Sequence, residues 1–433
     1  MKYLRRLLPV LAIFGLSLLI RIVFNNTIAY NYIPLNDAAK FQFVATNLLQ
    51  HACFCLFNPH PTVDRAPLWP ATIAAIEGLF GAQNYNVRLF LSVVGSGTCV
   101  LVYLFAKDVF SQRTGIVAGI IAAFAPQLYV YDGWMNAESL DIFLTFAFCY
   151  ALLRLQQTSK RSWLICSGIL LGLVSLERPN GLFVLGLVIV WALIIGWKKL
   201  LPRREIVQWS LVVVLIACLM VIPWTLRNYL VSGAFIPVTT GEGTVLIGSY
   251  NDAERQANLM GLWVNPDFAS PTLGHRYHYA DYQGPAMQVA RETAFKQFAL
   301  QWMLHNPETM PLLFIHHFIN IWGPITTAND YPFVHPPQGF LTTTYLFIIN
   351  NDMIVVYILA ILGFLLTYKE KRRELLFSYL LILMTIAQCI AIYGSPRFRS
   401  PIEPILIVLL SGTFWWFAQK ENRSRLWGHN QRL

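Results

Sequence analysis

Apolar runs close to the roughly 20 residues that cross a bilayer recur along this chain, divided by short polar connectors. In order, they predict about ten spans, at residues 4–24, 87–109, 114–131, 137–155, 163–176, 182–197, 206–224, 345–367, 375–393 and 402–417. Two further apolar stretches, 67–80 and 311–322, are too short to cross and predict helices lying along the interface. One polar stretch, residues 232–307, is too long for an ordinary connector and predicts a functional loop or a small domain. It opens with Thr- and Gly-rich sequence expected to be extended (235–250) and closes on an amphipathic helix (285–305). The charged N-terminus and first apolar run resemble a signal peptide. No small-residue cleavage site follows, so a retained helix is expected.

The connectors set the orientation. Basic residues concentrate at Lys107 and Arg113, at Arg154, Lys160 and Arg161, in WKKLLPRRE (197–205) and in YKEKRRE (368–374). With the N-terminus inside, all of these fall on the cytoplasmic side, as the positive-inside rule requires. The expected organisation is an N-terminal transmembrane catalytic module (1–231) whose first outer loop is 25–86. A large outer loop region with interfacial helices (232–344) follows, then C-terminal helices and a basic cytoplasmic tail (345–433).

Composition agrees with this pattern. Hydrophobic residues make up 56% and charged residues 12%, with a mean hydropathy of +0.51, which excludes a soluble globule. The net charge of +10 lies in short connectors and not on a continuous face, so it does not point to nucleic acid. Cys99, Cys149, Cys166, Cys218 and Cys389 fall in apolar spans as small core residues, and no zinc-type spacing occurs. Cys53 and Cys55 are two apart, too close to staple the fold.

The polar chemistry gathers at the outer ends of the spans. The densest stretch is 34–69, in which Asn36-Asp37 precedes an amphipathic run with Phe41, Val44, Ala45, Leu48 and Leu49 at helical spacing. Asp37 at a helix start can be a simple cap for free backbone N–H groups, or a reactive carboxylate. Asp64-Arg65 then sits before a proline-started apolar helix. Asn136, Glu138, Glu177, Arg178, Arg227, Arg397 and Arg399 fall at the same side. A transporter is expected to keep charge near mid-membrane, where Asp352 is the main inner candidate, and to show internal repeats; no repeat is visible. Charge gathered at one surface beneath a large loop instead suits a reaction between a lipid-anchored substrate and an outer acceptor.

In this order the motifs resemble the GT-C membrane glycosyltransferases of the glycosyltransferase family 39 type, which includes protein O-mannosyltransferases and lipid A aminoarabinose transferases. The resemblance runs from Leu35 to about Pro404 and rests on six elements. These are Asn36-Asp37 with its helical stretch, Asp64-Arg65-Ala66-Pro67-Leu68-Trp69, Asn136-Ala137-Glu138 and Glu177-Arg178-Pro179-Asn180. Pro223-Trp224 with Arg227-Asn228-Tyr229, and Arg397-Phe398-Arg399-Ser400-Pro401, complete the set. The chain departs from the family at Asn36 and Ala38, where many members pair the acid with another, and at Ala66, which replaces a proline.

The resemblance implies an all-α polytopic fold of GT-C architecture with an outward-facing loop domain. It implies transfer of a sugar from a polyprenyl-phosphate donor to an acceptor hydroxyl at the outer face, by one inverting displacement. Asp37 is then the expected base, and Arg65, Asp64, Glu138, Arg178, Arg227 and Arg397 the expected substrate-binding set. Arg65 is the first candidate for the lipid phosphate, while Glu138 and Asp141 are expected to organise arginines. No cofactor is certain; a divalent metal is the candidate, with Asp64 and His316 as its weak ligands. Expected partners are the lipid-linked sugar, a glycan, lipid or protein acceptor, and membrane lipids, with no nucleic acid. The implied location is a bacterial inner (plasma) membrane with the active site facing outward. A lipid-linked glycan flippase, a glycan ligase resembling O-antigen ligases, and a non-catalytic relative are the alternatives.

Overall fold

The first helix, α1 (Lys2–Thr27), leads into α2 (Asn36–His51), a short hairpin of β1 (Cys55–Phe57) and β2 (His60–Pro61), and α3 (Leu68–Phe80). The computed structural model describes residues 2–30, 32–57, 59–256, 260–278, 284–323 and 340–419. The predicted basic tail beyond residue 419, part of the outer loop (324–339) and the side chain of Asp352 lie outside the described residues. Next come α4 (Asn84–Val109), α5 (Gln112–Phe124), α6 (Pro126–Tyr129), α7 (Glu138–Thr158), α8 (Arg161–Glu177), α9 (Gly181–Trp197) and α10 (Arg203–Ser232). The chain is an all-α membrane protein: the hairpin in the first loop is the only strand pair among the described residues. Cys53 and Cys55 are joined beside this hairpin and tie no separate elements together.

Among the described residues five helices are long and apolar enough to cross a membrane, Leu7–Thr27, Asn84–Val109, Arg203–Ser232, Met353–Ala391 and Pro396–Ala418, or six if the bent pair Gln112–Phe124 and Pro126–Gly133 is one span. The shorter or more polar α7, α8 and α9 pack among them where spans were expected. At 13 residues, α3 reaches only about 20 Å, short of the roughly 30 Å hydrocarbon layer.

The predicted span 114–131 is not one helix. It breaks after α5, and the segment Pro126–Gly133 leaves at 62°. The cause is local: Ala125 precedes Pro126 and is pushed into extended backbone (φ −69°, ψ 110°). The last turn, Val130–Gly133, carries Asp132 into the core.

The large loop region also departs from expectation. Sequence predicted extended chain over 235–250, but α11 (Glu242–Ser249) is helical. It lies so close to α15 (Pro285–His305) that a Cβ at Gly243 would overlap the backbone of Glu292. The Glu292 carboxylate then accepts the Thr244 backbone N–H (2.9 Å) and hydroxyl (2.6 Å), anchoring the first turn. Between them run α12 (Asp252–Gln256), α13 (Pro266–Ala269) and α14 (Pro271–Arg276), and after α15 comes the short α16 (Met310–Ile321).

Helical backbone then continues through α17 (Phe340–Ala391), 52 residues, where two spans were expected. The run reverses on itself. Phe364 and Tyr379, which a straight helix would separate by about 22 Å, have ring centroids 4.9 Å apart. Tyr357 meets Trp322, the C-cap of α16, edge to face while the Ile390 carbonyl meets His317, so both arms return to the same short helix. The reversal lies between Tyr368 and Tyr379, whose ring centroids are 6.0 Å apart. After α18 (Pro396–Arg399), α19 (Glu403–Ala418) closes the bundle against α17.

Candidate active site

Asp37 lies in the first turn of α2, but it is not the cap. The N-cap position is Leu35, and no side chain caps the helix. The Asp37 carboxylate instead accepts from Arg397 Nη1 at 3.2 Å and lies 3.6 Å from Arg65 Nη2. Lys40, one turn along, adds a third cation. Burial opposes ionisation of this carboxyl, yet the three cations outweigh it and hold the pKa at about 2. Asp37 is therefore ionised across the physiological range in the free protein.

Residues 62–65 are clamped from three directions. Gln288 of α15 accepts the Val63 backbone N–H and donates to the Thr62 hydroxyl, both at 2.8 Å. Arg227 of α10 donates to the carbonyls of Thr62 (2.6 Å) and Phe54 (3.2 Å), its guanidinium lying over the Trp224 and Phe54 rings. The Thr240 backbone N–H donates to the Val63 carbonyl at 2.9 Å. Asp64 is thereby held buried, accepting from Thr62 and lying 3.6 Å from Arg291 and 3.9 Å from Arg65. Desolvation raises its pKa, but Arg65 and Arg291 prevail and keep it below the usual carboxylate range. Arg65 thus stands between two carboxylates at distances longer than hydrogen bonds, packed over Phe41.

Arg397 joins this loop to the bundle. Its Nε donates to the fully buried Glu138 at the start of α7, and Arg178 donates to the same oxygen, Oε1. Arg178 also lies 3.6 Å from Asp141. The result is an alternating chain, Arg65–Asp37–Arg397–Glu138–Arg178–Asp141, drawn from α2, α7, α18, the C-terminal cap of α8 and the first loop. Glu138 Oε2 is buried with no hydrogen-bond partner. Beneath it, the wholly buried Arg21 of α1 pairs with Asp132 at 2.5 Å, and Asp132 accepts from Ser139, the neighbour of Glu138, at 2.5 Å.

The structure thus brings Asp37, Asp64, Arg65, Glu138, Arg178 and Arg397 together. Arg227 reaches the same loop, though its donors go to backbone carbonyls. Arg399 turns inward to Glu403 and the Ile321 and Gly323 carbonyls, where it secures the α16–α18 junction. His316 borders Gly261 and Glu254, not Asp64. Lys40, Gln288 and Arg291 were not singled out from the sequence. For Lys40 the signal was its helical spacing from Asp37; for the other two it was one face of the predicted 285–305 helix. Polar groups at the far end are separate. Arg154, sixteen residues along α7 from Glu138, pairs with Asp108 at the end of α4 (2.8 Å), and Arg373 reaches the Gln156 carbonyl (3.3 Å).

A divalent metal does not fit these residues. Each first-loop carboxylate faces guanidinium groups, and among the described residues no three His, Cys, Asp or Glu side chains are grouped to hold an ion.

Residues 64–224 match the family of dolichyl-phosphate-mannose-protein mannosyltransferases. The oligosaccharyltransferase AglB of Archaeoglobus fulgidus, solved with an inhibitory peptide and a dolichol-phosphate, superposes with a TM-score of 0.58 at 14% identity, over 97% of this chain and 52% of that one. This chain has the GT-C membrane glycosyltransferase fold. The same archaeal enzyme in complex with Zn and sulfate gives 0.57 at 12% identity, over 96% of this chain and 50% of that one. ArnT of Cupriavidus metallidurans, bound to undecaprenyl phosphate, matches at 14% identity with a TM-score of 0.43, over 94% and 77% of the two chains. The GT-C chain described here spans about half the length of the archaeal enzyme. No curated protein sequence matches it.

Proposed function

We propose that this protein transfers a glycosyl group from a polyprenyl-phosphate donor to an acceptor hydroxyl at the outer face of a cell membrane. The observation that carries the reading is the meeting of Asp37 and Arg65, from the first loop, with Arg397, more than 300 positions further along the chain, at one end of the bundle. The archaeal relative in complex with a dolichol-phosphate supports a lipid phosphate as the donor's anchor.

Arg65 is the ligand for the donor phosphate. It donates to the Asp64 carbonyl (2.7 Å) and lies 3.6 Å from Asp37 beside the loop, with a planar guanidinium whose geometry matches phosphate oxygens, whereas Arg178 and Arg397 are bound to a buried glutamate. The acceptor oxygen attacks the anomeric carbon. The bond from that carbon to the phosphate oxygen breaks, the polyprenyl phosphate leaves with the electron pair, and the hydroxyl proton passes to Asp37. One such displacement inverts the anomeric centre.

A carboxylate held at about pH 2 is a weak base. The remedy lies in its partners. A donor phosphate that engages Arg65 and draws on Arg397 adds negative charge beside Asp37, so its proton affinity rises when donor binds. Donor binding and base strength are thus coupled through shared arginines. Glu138, Arg178 and Arg227 position these groups, and no step passes through a metal. The outward orientation follows from the basic connectors at the opposite end.

The test is transfer of radiolabel from purified polyprenyl-phosphate sugars to a panel of sugar, lipid and peptide acceptors, with Asp37→Asn alongside. Label moved by the wild type and not by well-folded Asp37→Asn supports the reading. Equal transfer by both removes Asp37 as the base, and movement of intact donor between leaflets without transfer favours a flippase.

A further inference from the structure

A groove of about 580 Å³ runs between the last two turns of α9 and the first turns of α10, at the end of the bundle remote from the candidate site. Its walls are apolar, and Ile189, Leu193 and Leu211 stand half or more exposed along it. That size falls within the range of small-ligand sites. Two polar features interrupt the wall. Ser210, only 7% exposed, has a buried hydroxyl oxygen with no partner, and Arg203 lies at the rim.

The rim is strongly basic. Lys198, Lys199, Arg203 and Arg204 are all exposed, and among the described residues none pairs with a carboxylate. One acid, Glu205, shares the segment. The 30-residue α10 begins here with no side-chain cap, so its first N–H groups and the positive end of its dipole add to the same field. Trp197 is 77% exposed with Lys198 over its ring (4.6 Å), an aromatic-and-lysine pairing suited to a headgroup layer.

We infer that this groove binds one anionic phospholipid, its phosphate among Arg203, Lys198 and the α10 N-terminus and one acyl chain along the apolar wall. An apolar slot in a bilayer is filled by lipid in any case. The four cations at its mouth are what select an anionic headgroup over a zwitterionic one. Placement in the cytoplasmic leaflet rests on the proposed outward orientation of the candidate site.

The test uses full-length protein in nanodiscs containing phosphatidylglycerol or phosphatidylcholine with the same diazirine-bearing acyl chain, with label mapped by mass spectrometry. Phosphatidylglycerol is expected to label α9 and α10 several-fold more than phosphatidylcholine. The surface double variant Lys198→Gln/Arg203→Gln should bring that preference close to parity. Ser210→Phe should displace label from the groove while the basic rim stays intact. Inorganic phosphate at matched ionic strength should leave labelling unchanged. Equal labelling by the two lipids, no change in the double variant, or loss of label to free phosphate would each overturn the site. A cysteine at position 199 that reacts with impermeant thiol reagents in intact cells would instead overturn the orientation, whichever way the lipid result falls.

Discussion

Asp37 and Arg397 are 360 positions apart in sequence and 3.2 Å apart in space. The arginine that holds Asp37 also donates to Glu138, so the first loop and the buried start of α7 share one guanidinium. The carboxylate facing the proposed substrate is thus tied to a group that solvent does not reach. Movement of either partner is felt by the other.

Substitution of Asp37 separates reactivity from folding. Because its carboxylate caps no helix end, Asp37→Asn loses no cap; it loses a charge beside Arg397 and Arg65. Transfer is expected to fall roughly 10²- to 10⁴-fold, with donor binding largely kept. Near-normal turnover by folded Asp37→Asn would shift the search for the base to Asp64.

The pH dependence of stability gives a second reading of the same residue. The folded pKa of Asp37 is about 2, below its ordinary value of 3.8, so the pairing stabilises the fold fully above the latter. That contribution is lost as pH falls through the former. The difference in thermal transition between wild type and Asp37→Asn should therefore be flat from neutrality to about pH 4. It should shrink only in more acid solution. A difference that closes between pH 7 and 5 would mean the arginines do not hold this carboxylate.

Arg65 is expected to matter through geometry as well as charge. Arg65→Ala should raise the donor KM strongly, and Arg65→Lys should recover only part of the loss, because a point charge lacks the planar fork. Measurement of donor binding to detergent-solubilised protein decides it. Wild-type affinity in Arg65→Ala would assign the phosphate elsewhere, with Lys40 and Arg291 the nearest cations.

Much of this arrangement was legible in the sequence, and what was missed has physical causes. Many helix positions followed from apolar runs, and polar groups read at span ends are among those the fold brings together. The break at Ala125 was signalled by Pro126 but hidden within an unbroken apolar run. Helix α11 contradicted its Gly- and Thr-rich composition because contacts with Glu292 and a close approach at Gly243 override local propensity. Gln288 and Arg291 were unreadable as site residues, since only the tertiary fold brings α15 over residues 62–64. That the Asp37 carboxylate meets Arg65 and Arg397 and makes no helix cap is a tertiary fact, which one segment cannot disclose.

Glu138 tests whether the alternating chain is positioning or decorative. It is buried and serves two guanidiniums, so Glu138→Gln leaves Arg178 and Arg397 short of a negative partner. Loss of one member of such a buried set typically costs about 3–5 kcal/mol. The thermal transition should drop clearly, and Glu138→Asp should restore part of it. An unchanged transition in Glu138→Gln would mean that Arg178 and Arg397 find other acceptors.

Arg21 of α1 sits at a second buried ion pair. Its guanidinium is wholly buried, pairs with Asp132 and donates to Ser17, and a Cβ at Gly95 would overlap both members of the pair. Arg21→Leu leaves Asp132 buried without its cation and is expected to cost about 3–5 kcal/mol. Removing both charges is different: Arg21→Leu/Asp132→Leu should recover most of that stability, since an apolar pair of similar volume often replaces a buried ion pair with little loss. Activity should not recover with it. Asp132 accepts from Ser139, and Ser139 adjoins Glu138, so the double variant still frees the first turn of α7 that aims Glu138 at Arg397. The expected signature is a near-normal thermal transition with a lowered kcat and a donor KM closer to wild type. Gly95→Ala offers an independent probe, since its added methyl displaces the pair without removing a charge. A single Arg21→Leu variant as stable as wild type would show the ion pair is not formed, and full activity in the double variant would separate it from the site.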